Sequence, residues 1–265
     1  HRVRGDESVE GEPVDHGREL HTLSHRLSVG YGAGAAKGRA DIGWRMGVSG
    51  SEAGHVNDQK VAFPEVSREP EPKFRVRARH TASTLTVYQA YRPEIGLAAA
   101  RDGRFPAAWS RSRMTWIKPS FSWMMYRCGW GTKEGQETVL AVEISREGFL
   151  WALRNACLSH YVPGLYEDQG AWKRQLRRAP ARVQWDPERD LHLNALPHRS
   201  LQLGLSGEAA ERYADEWIVG IEDVTPLAAE AHGLVRAGEL DRAARLLPVE
   251  RPYPLDEDAL AHLRP

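Results

Sequence analysis

The chain has 265 residues, with 36 lysines and arginines set against 36 aspartates and glutamates. That length suits one large or two small domains. The charge balance excludes a global field that would draw the protein onto nucleic acid or membrane and leaves only local patches. No apolar run approaches the roughly 18 residues that span a bilayer, and no charged-then-apolar leader is present, so a cytoplasmic protein is expected. Cys128 and Cys157 lie in neither a CxxC nor a zinc-knuckle spacing and read as reduced, buried thiols.

Residues 1–72 read as a disordered arm. "SVGYGAGAAKGRADIGWRMGVSGSEAGH" is rich in Gly, Ala and Ser, and such a composition buries too little to offset its chain entropy. The chain opens on His1 and its first Met is Met46, so the expectation is that this arm lies outside the native coding sequence. The irregular spacing of His1, His16, His21 and His25 suits solvated histidines, and no metal is expected.

From Lys73 a single globular domain is expected to run to residue 255, with 256–265 as a tail. "TLTVYQAY" alternates and is β-branched and aromatic, a strand. "PEIGLAAARDG" starts with Pro93 in the first helical turn and stops at Gly103. "RMTWIKP" reads as a strand closed by Pro119, and Ser120 caps a helix through "SFSWMMYRCG", with Phe121, Met124, Met125 and Cys128 at helical spacing. "TVLAVEIS" is a buried strand and "REGFLWALRNA" a helix. "AWKRQLRRA" is basic and helical. "ARVQWDPERD" and "SLQLGLS" are strands around a proline bend, "GEAAERYADE" is a helix and "WIVGIEDV" a strand. Thr225-Pro226 opens a further helix, and "AGELDRAARLLP" forms another. The elements lack a regular βαβ rhythm, which favours an α+β fold: a central mixed sheet or split barrel flanked by helices.

Three stretches carry candidate chemistry. In "RMTWIKPSFSWMMYRCGWG", Phe121, Met124 and Met125 read as core. Lys118 and Ser120 at a helix N-terminus make a plausible perch for phosphate, because the free N–H groups and the dipole there favour anions; Trp123 stands beside them. In "VYQAYRPE", Gln89 and Tyr91 share a strand face, and Arg92 at the corner can fork onto a diphosphate or pair with Glu94 or Asp102. In "VQWDPERD", Gln184 and Asp186 alternate onto one face with Trp185 on the other, and Glu188 follows Pro187. A carboxylate beside an amide can grip vicinal hydroxyls and stabilise an oxocarbenium centre, or the run is a charged turn. GxSxG, GxxxxGK[ST] and HExxH patterns are absent, and His160 and His198 stand alone.

Five words of the sequence, "VYQAYRPEIGLAAARDGRF", "RMTWIKPSFSWMMYRCGW", "CLSHY", "VQWDPERDL" and "RSLQLGLSGEA", resemble the domain of unknown function 4291 family, from about Phe74 to Tyr253. More distantly the order of motifs is similar to that of ADP-ribosyltransferases, with "VYQAY" as the first motif, "TWIKPSFSWMMYR" as the second, "TVLAVEIS" as the following core strand and "VQWDPE" as the third. That resemblance implies an ADP-ribosyltransferase-like fold and NAD as substrate. It implies Gln89, Tyr91, Arg92, Lys118, Ser120 and Trp123 as cofactor-binding residues, with Gln184, Asp186 and Glu188 at the catalytic position. Two departures stand out. Gln89 occupies a place where an Arg or His would hold NAD. The third motif reads Gln184-Trp185-Asp186, so either Asp186 replaces the usual Glu or Glu188 serves.

The implied activity is ADP-ribosyl transfer to a nucleic-acid or protein acceptor. The alternative is a nucleic-acid-binding module without catalysis. Its aromatic platforms would stack bases while Arg75, Arg77, Arg79 and the basic run Lys173 to Arg182 contact phosphates. A third reading is an interaction protein with no ligand.

Overall fold

The computed structural model describes residues 73–255 and 261–265, so the expected arm over 1–72 lies outside the described residues. In chain order the first elements are β1 (Arg77–Ala78), β2 (Thr84–Tyr91), α1 (Pro93–Asp102), β3 (Thr115–Ile117) and α2 (Phe121–Cys128). Next come β4 (Thr138–Ser145), α3 (Arg146–Arg154), β5 (Ala156–Leu158), α4 (Gln169–Arg178), β6 (Ala181–Arg189) and β7 (Ala195–Leu205). The chain continues through α5 (Glu208–Arg212), a π-helical turn (Tyr213–Trp217), β8 (Ile218–Asp223), α6 (Thr225–Arg236), α7 (Leu240–Leu246) and β9 (Arg251–Pro252).

These elements build an α+β domain around two larger sheets, one in the order β2-β4-β8 and the other β3-β7-β6-β5, with β1 and β9 forming a separate two-stranded pair. The first is antiparallel. The second is mixed, because β5 runs parallel to β6. The sheets meet at one backbone bridge, where Tyr88 N donates to Lys118 O (2.7 Å) and Lys118 N to Tyr88 O (3.3 Å). Among the described residues no closed barrel forms; the arrangement is two sheets split apart from a shared seam.

Strand alternation explains why β2 and β4 read as unbroken apolar runs. Leu85, Val87, Leu140, Val142 and Ile144 face a large core shared with Val183, Trp185, Leu201 and Leu203 of the other sheet. Tyr88, Val139 and Ala141 face a second core made by Phe121, Met124, Met125 and Cys128 of α2 with Ala228 and Ala231 of α6. A sheet buried on both sides needs apolar residues at successive positions. The reading of Phe121, Met124 and Met125 as core holds, and both cysteines are buried free thiols.

Three expectations need correction. Pro187 does not bend the chain out of β6, which runs on to Arg189 with a shift in register between Pro187 and Arg189. β5 pairs only with Ala181–Val183, so by Pro187 the strand has one free edge, and an irregular edge tolerates a residue without an N–H. The segment 256–265, expected as a tail, returns to the core at its described end: Leu263 is fully buried and its carbonyl accepts the Trp185 indole N–H at 2.7 Å. The helix expected over "GEAAERYADE" changes to a π-helical turn at Tyr213.

Two helical glycines give opposite expectations. A Cβ at Gly148 of α3 would stand 2.3 Å from Trp217 Cγ, whereas one at Gly233 of α6 would meet nothing within 4 Å. Ala is preferred over Gly in a helix interior by about 1 kcal/mol, but overpacking a ring typically costs about 1–3 kcal/mol. Gly233→Ala should therefore raise the melting temperature and Gly148→Ala lower it. Equal shifts in thermal melts would show that Trp217 does not seat on α3 as described.

Candidate functional site

β3 passes through Lys118-Pro119-Ser120 into α2, and this corner collects polar side chains at the seam. Ser120 is extended and caps α2, its Oγ accepting from Trp123 N at 3.1 Å. The same hydroxyl donates to Glu188 Oε1 at 2.9 Å, and Glu188 is 7% exposed. Phe121 N, a free donor of the first turn, donates to Glu250 Oε1 at 2.7 Å. The helix N-terminus read as a phosphate perch therefore already holds a carboxyl group of the chain's own. Burial, with Glu188 nearby, pushes the Glu250 carboxyl up to about 8.

Lys118 is only 6% exposed. Its Nζ donates to Trp116 O at 3.0 Å and lies 5.5 Å from the centre of the Trp123 ring. Burial lowers its pKa to about 7; Arg127 adds to that effect, while Cys128 and Asp186 oppose it. The indole N–H of Trp123 is buried without a hydrogen-bond partner. A buried donor in that condition costs free energy unless something accepts from it.

The four-stranded sheet presents one face to the core and leaves the other half-open. Register pairs Gln184 with Gln202, Asp186 with Ser200, and Arg182 with Gly204; Trp116 also faces Gly204. Directly paired residues share a face, so Trp116, Gln202, Arg182, Gln184 and Asp186 stand together. The absent side chain at Gly204 lets Trp116 lie across β7: a Cβ there would sit 3.0 Å from the Trp116 ring. Asp186 is clamped from both sides, Gln184 Nε2 donating to Oδ1 (3.0 Å) and Gln202 Nε2 to Oδ2 (2.7 Å). Each amide keeps a second N–H and a carbonyl oxygen. A carboxylate flanked by two amides beside an indole is suited to hold a hydroxylated ring and to meet developing positive charge.

The predicted residues divide between three places. Asp186 and Gln184 share the open face, as alternation required, and Lys118 lies within electrostatic reach of Asp186. Ser120, Trp123 and Glu188 gather at the α2 corner, where Glu188 also accepts from Arg189 N at 2.9 Å. Gln89 and Tyr91 belong to an internal network. Gln89 Nε2 donates to Thr115 Oγ1 (2.7 Å) and Tyr91 Oη (2.9 Å), Tyr213 Oη donates to Gln89 Oε1 (2.6 Å), and Trp109 Nε1 donates to Tyr91 Oη (3.0 Å). Their polar atoms tie β2 to β3 and to the π-helical turn. Arg92 is exposed, 3.9 Å from Glu94, as the plainer of its two sequence readings had it. Gln202 and Glu250 are the site residues that sequence reasoning missed, and Arg182, read only as the end of a basic run facing phosphates, stands on the face of Asp186. Pairing register was the one signal that would have found Gln202, since "SLQLGLS" carries an amide on the strand that follows "VQWDPE".

A separate hollow of about 250 Å³ lies over the three-stranded sheet, lined by Arg79, Thr84, Thr86, Glu143 and Glu222 among others, and contains none of the residues above. Among the described residues no group of His, Cys, Asp and Glu is placed to hold a metal ion, and no helix is long and apolar enough to cross a membrane.

An α+β protein with two sheets parting from one seam, and a polar, aromatic-walled sheet face beside it, is the class that these features define. The family is specific: a match to Domain of unknown function (DUF4291) covers residues 75–253, and the chain belongs to that family. No curated protein matches the chain.

Proposed function

We propose that the protein is an NAD-dependent ADP-ribosyltransferase-like enzyme acting on a nucleic-acid or protein acceptor. The observation that carries this reading is the clamped carboxylate: Asp186 held between Gln184 and Gln202 on an open sheet face. Asp186 is the group that faces the ribose as the bond to nicotinamide breaks and positive charge develops on the sugar, and preorganised charge of this kind lowers the barrier. Gln184 and Gln202 fix the carboxylate and offer their remaining amide groups to the ribose hydroxyls. Trp116 supplies a flat wall. The cofactor's own glycosidic bond supplies the leaving group, and the protein supplies orientation and charge.

The residues first assigned to the dinucleotide fit it unevenly. Gln89 and Tyr91 are spent on internal bonds, and Arg92 is far out in solvent, so none is a good holder. Arg182 stands on the face of Asp186 and Gln184, and its Nε is buried without a hydrogen-bond partner. It is the better candidate for the diphosphate. Lys118, with its pKa near 7, is half-neutral at that pH, and an arriving anion would draw a proton onto it.

Incubating the protein with NAD, with and without single-stranded oligonucleotides and a mixed protein acceptor, should release nicotinamide and raise the melting temperature. Absence of both effects overturns the reading. Stabilisation by oligonucleotide with no NAD consumption would favour the binding module instead.

A further inference from the structure

We propose that a second site, at the far edge of the four-stranded sheet, binds a phosphate monoester through Arg154, Arg174, Arg178 and His262. The C-terminal end of α3, one face of α4 and the described end of the chain line an open hollow of about 470 Å³ there. Arg154 comes from α3, Arg174 and Arg178 are one turn apart on α4, and His262 closes the wall.

Like charges four residues apart on a helix repel, and here a third guanidinium joins them. The lining residues include no carboxylate, and none of these arginines has an ion pair among the described residues. Elsewhere Arg101, Arg111, Arg212 and Arg242 each meet a carboxylate. His262 stands in the wall, with its Nε2 buried and without a hydrogen-bond partner among the described residues.

The ordinary role of such cations is to offset helix dipoles, since α3 and α4 both end here. Each helix end carries roughly half a negative charge, and Asp168, the N-cap of α4, stands near Arg174, so part of the charge of the three guanidiniums is offset within the chain. The positive charge left over suits a phosphate monoester, which carries about −1.5 to −2 near neutral pH. Arginine forks also suit phosphate oxygens geometrically. Apart from His262 the lining has no aromatic ring; Trp172 of α4 is turned away, its indole N–H bonded to Leu158 O at 2.9 Å. The hollow thus recognises the phosphate, with room for the rest of the ester, and is indifferent to any base attached.

Titration of the whole chain with methyl phosphate, followed by calorimetry without NAD, tests this. Saturable one-to-one binding is expected. The double variant Arg174→Gln/Arg178→Gln should weaken it by about tenfold to a hundredfold, the range set by losing charge-assisted hydrogen bonds. His262→Ala should also weaken it, whereas the exposed Arg236→Gln should not. The double variant removes like-charge repulsion and also a cation that offsets the α4 dipole, so its melting temperature should stay close to that of the parent. No saturable binding, or the same affinity in the double variant, overturns the site. Comparing 5′-phosphorylated with 5′-hydroxyl oligonucleotides then separates two sources of one chemistry: preference for the phosphorylated end identifies a nucleic-acid terminus, and parity with methyl phosphate a small ester. Asp186→Asn should bind methyl phosphate normally, so loss of the transferase reading leaves this result intact.

Discussion

Asp186→Asn should abolish nicotinamide release while leaving the fold and most of the NAD-dependent thermal shift in place. Removing one group that stabilises charge in the transition state commonly costs on the order of 10²–10³ in rate. Asn keeps the shape of Asp and one oxygen acceptor, so one of the two glutamines retains its bond and the other turns its amide about. The side chain is half-buried at the sheet surface, and the stability loss should stay near 1 kcal/mol, the size of one net hydrogen bond. Glu188 provides the contrast. Its Oε1 already accepts from Ser120 and Arg189 N, so its work is to hold the α2 corner. Glu188→Gln preserves an acceptor there and should retain activity within a few-fold. If Glu188→Gln is dead and Asp186→Asn active, the acid is Glu188 and the clamp on Asp186 is structural. Steady-state nicotinamide release and melting curves on both variants separate these outcomes.

Gln184 and Asp186 were legible as neighbours because alternation in a strand is local chemistry, and Ser120 was legible as a cap for the same reason. Phe121, Met124 and Met125 followed from helical spacing. What sequence could not give was pairing between distant segments. Gln202 reaches Asp186 only through the β6–β7 register, and Glu250 reaches Phe121 from 129 residues away. Gln89 and Tyr91 looked available for a ligand because their partners, Trp109, Thr115 and Tyr213, come from a loop and two other elements. The short β5 and the β1–β9 pair were missed because two or three residues show no period by themselves, and the equally short β3 was legible only through its flanking Pro119. Pro187 was misjudged because its tolerance depends on β6 having an open edge at that point.

The stability of the wild type should pass through a minimum between about pH 7 and pH 8, where a half-buried carboxyl and a buried amine at the seam pull in opposite directions. Glu250 is raised from 4.5 to about 8, chiefly by burial. Between those values the folded state keeps a proton that the unfolded state has lost, so each step up in pH reduces stability; above pH 8 this contribution is fully lost. Lys118 is lowered from 10.5 to about 7, again chiefly by burial. Between pH 7 and 10.5 the unfolded state holds the extra proton, so stability rises with pH there. Each variant should erase one arm. Glu250→Gln retains an acceptor for Phe121 N; its advantage over wild type should grow from near zero at pH 4.5 to a few kcal/mol at pH 8.5, at about 1.4 kcal/mol per shifted pH unit as an upper bound. Lys118→Met keeps an apolar stem against Trp123 and leaves the Trp116 carbonyl bonded to Gln89 Nε2 at 3.2 Å. Its advantage should be largest below pH 7 and vanish above pH 10.5. Urea melts at pH 5, 7.5 and 10 measure both differences, and the subtraction removes other titrating groups. Curves that run parallel to wild type at all three values would place both groups in solvent and remove the enclosed seam beside Asp186.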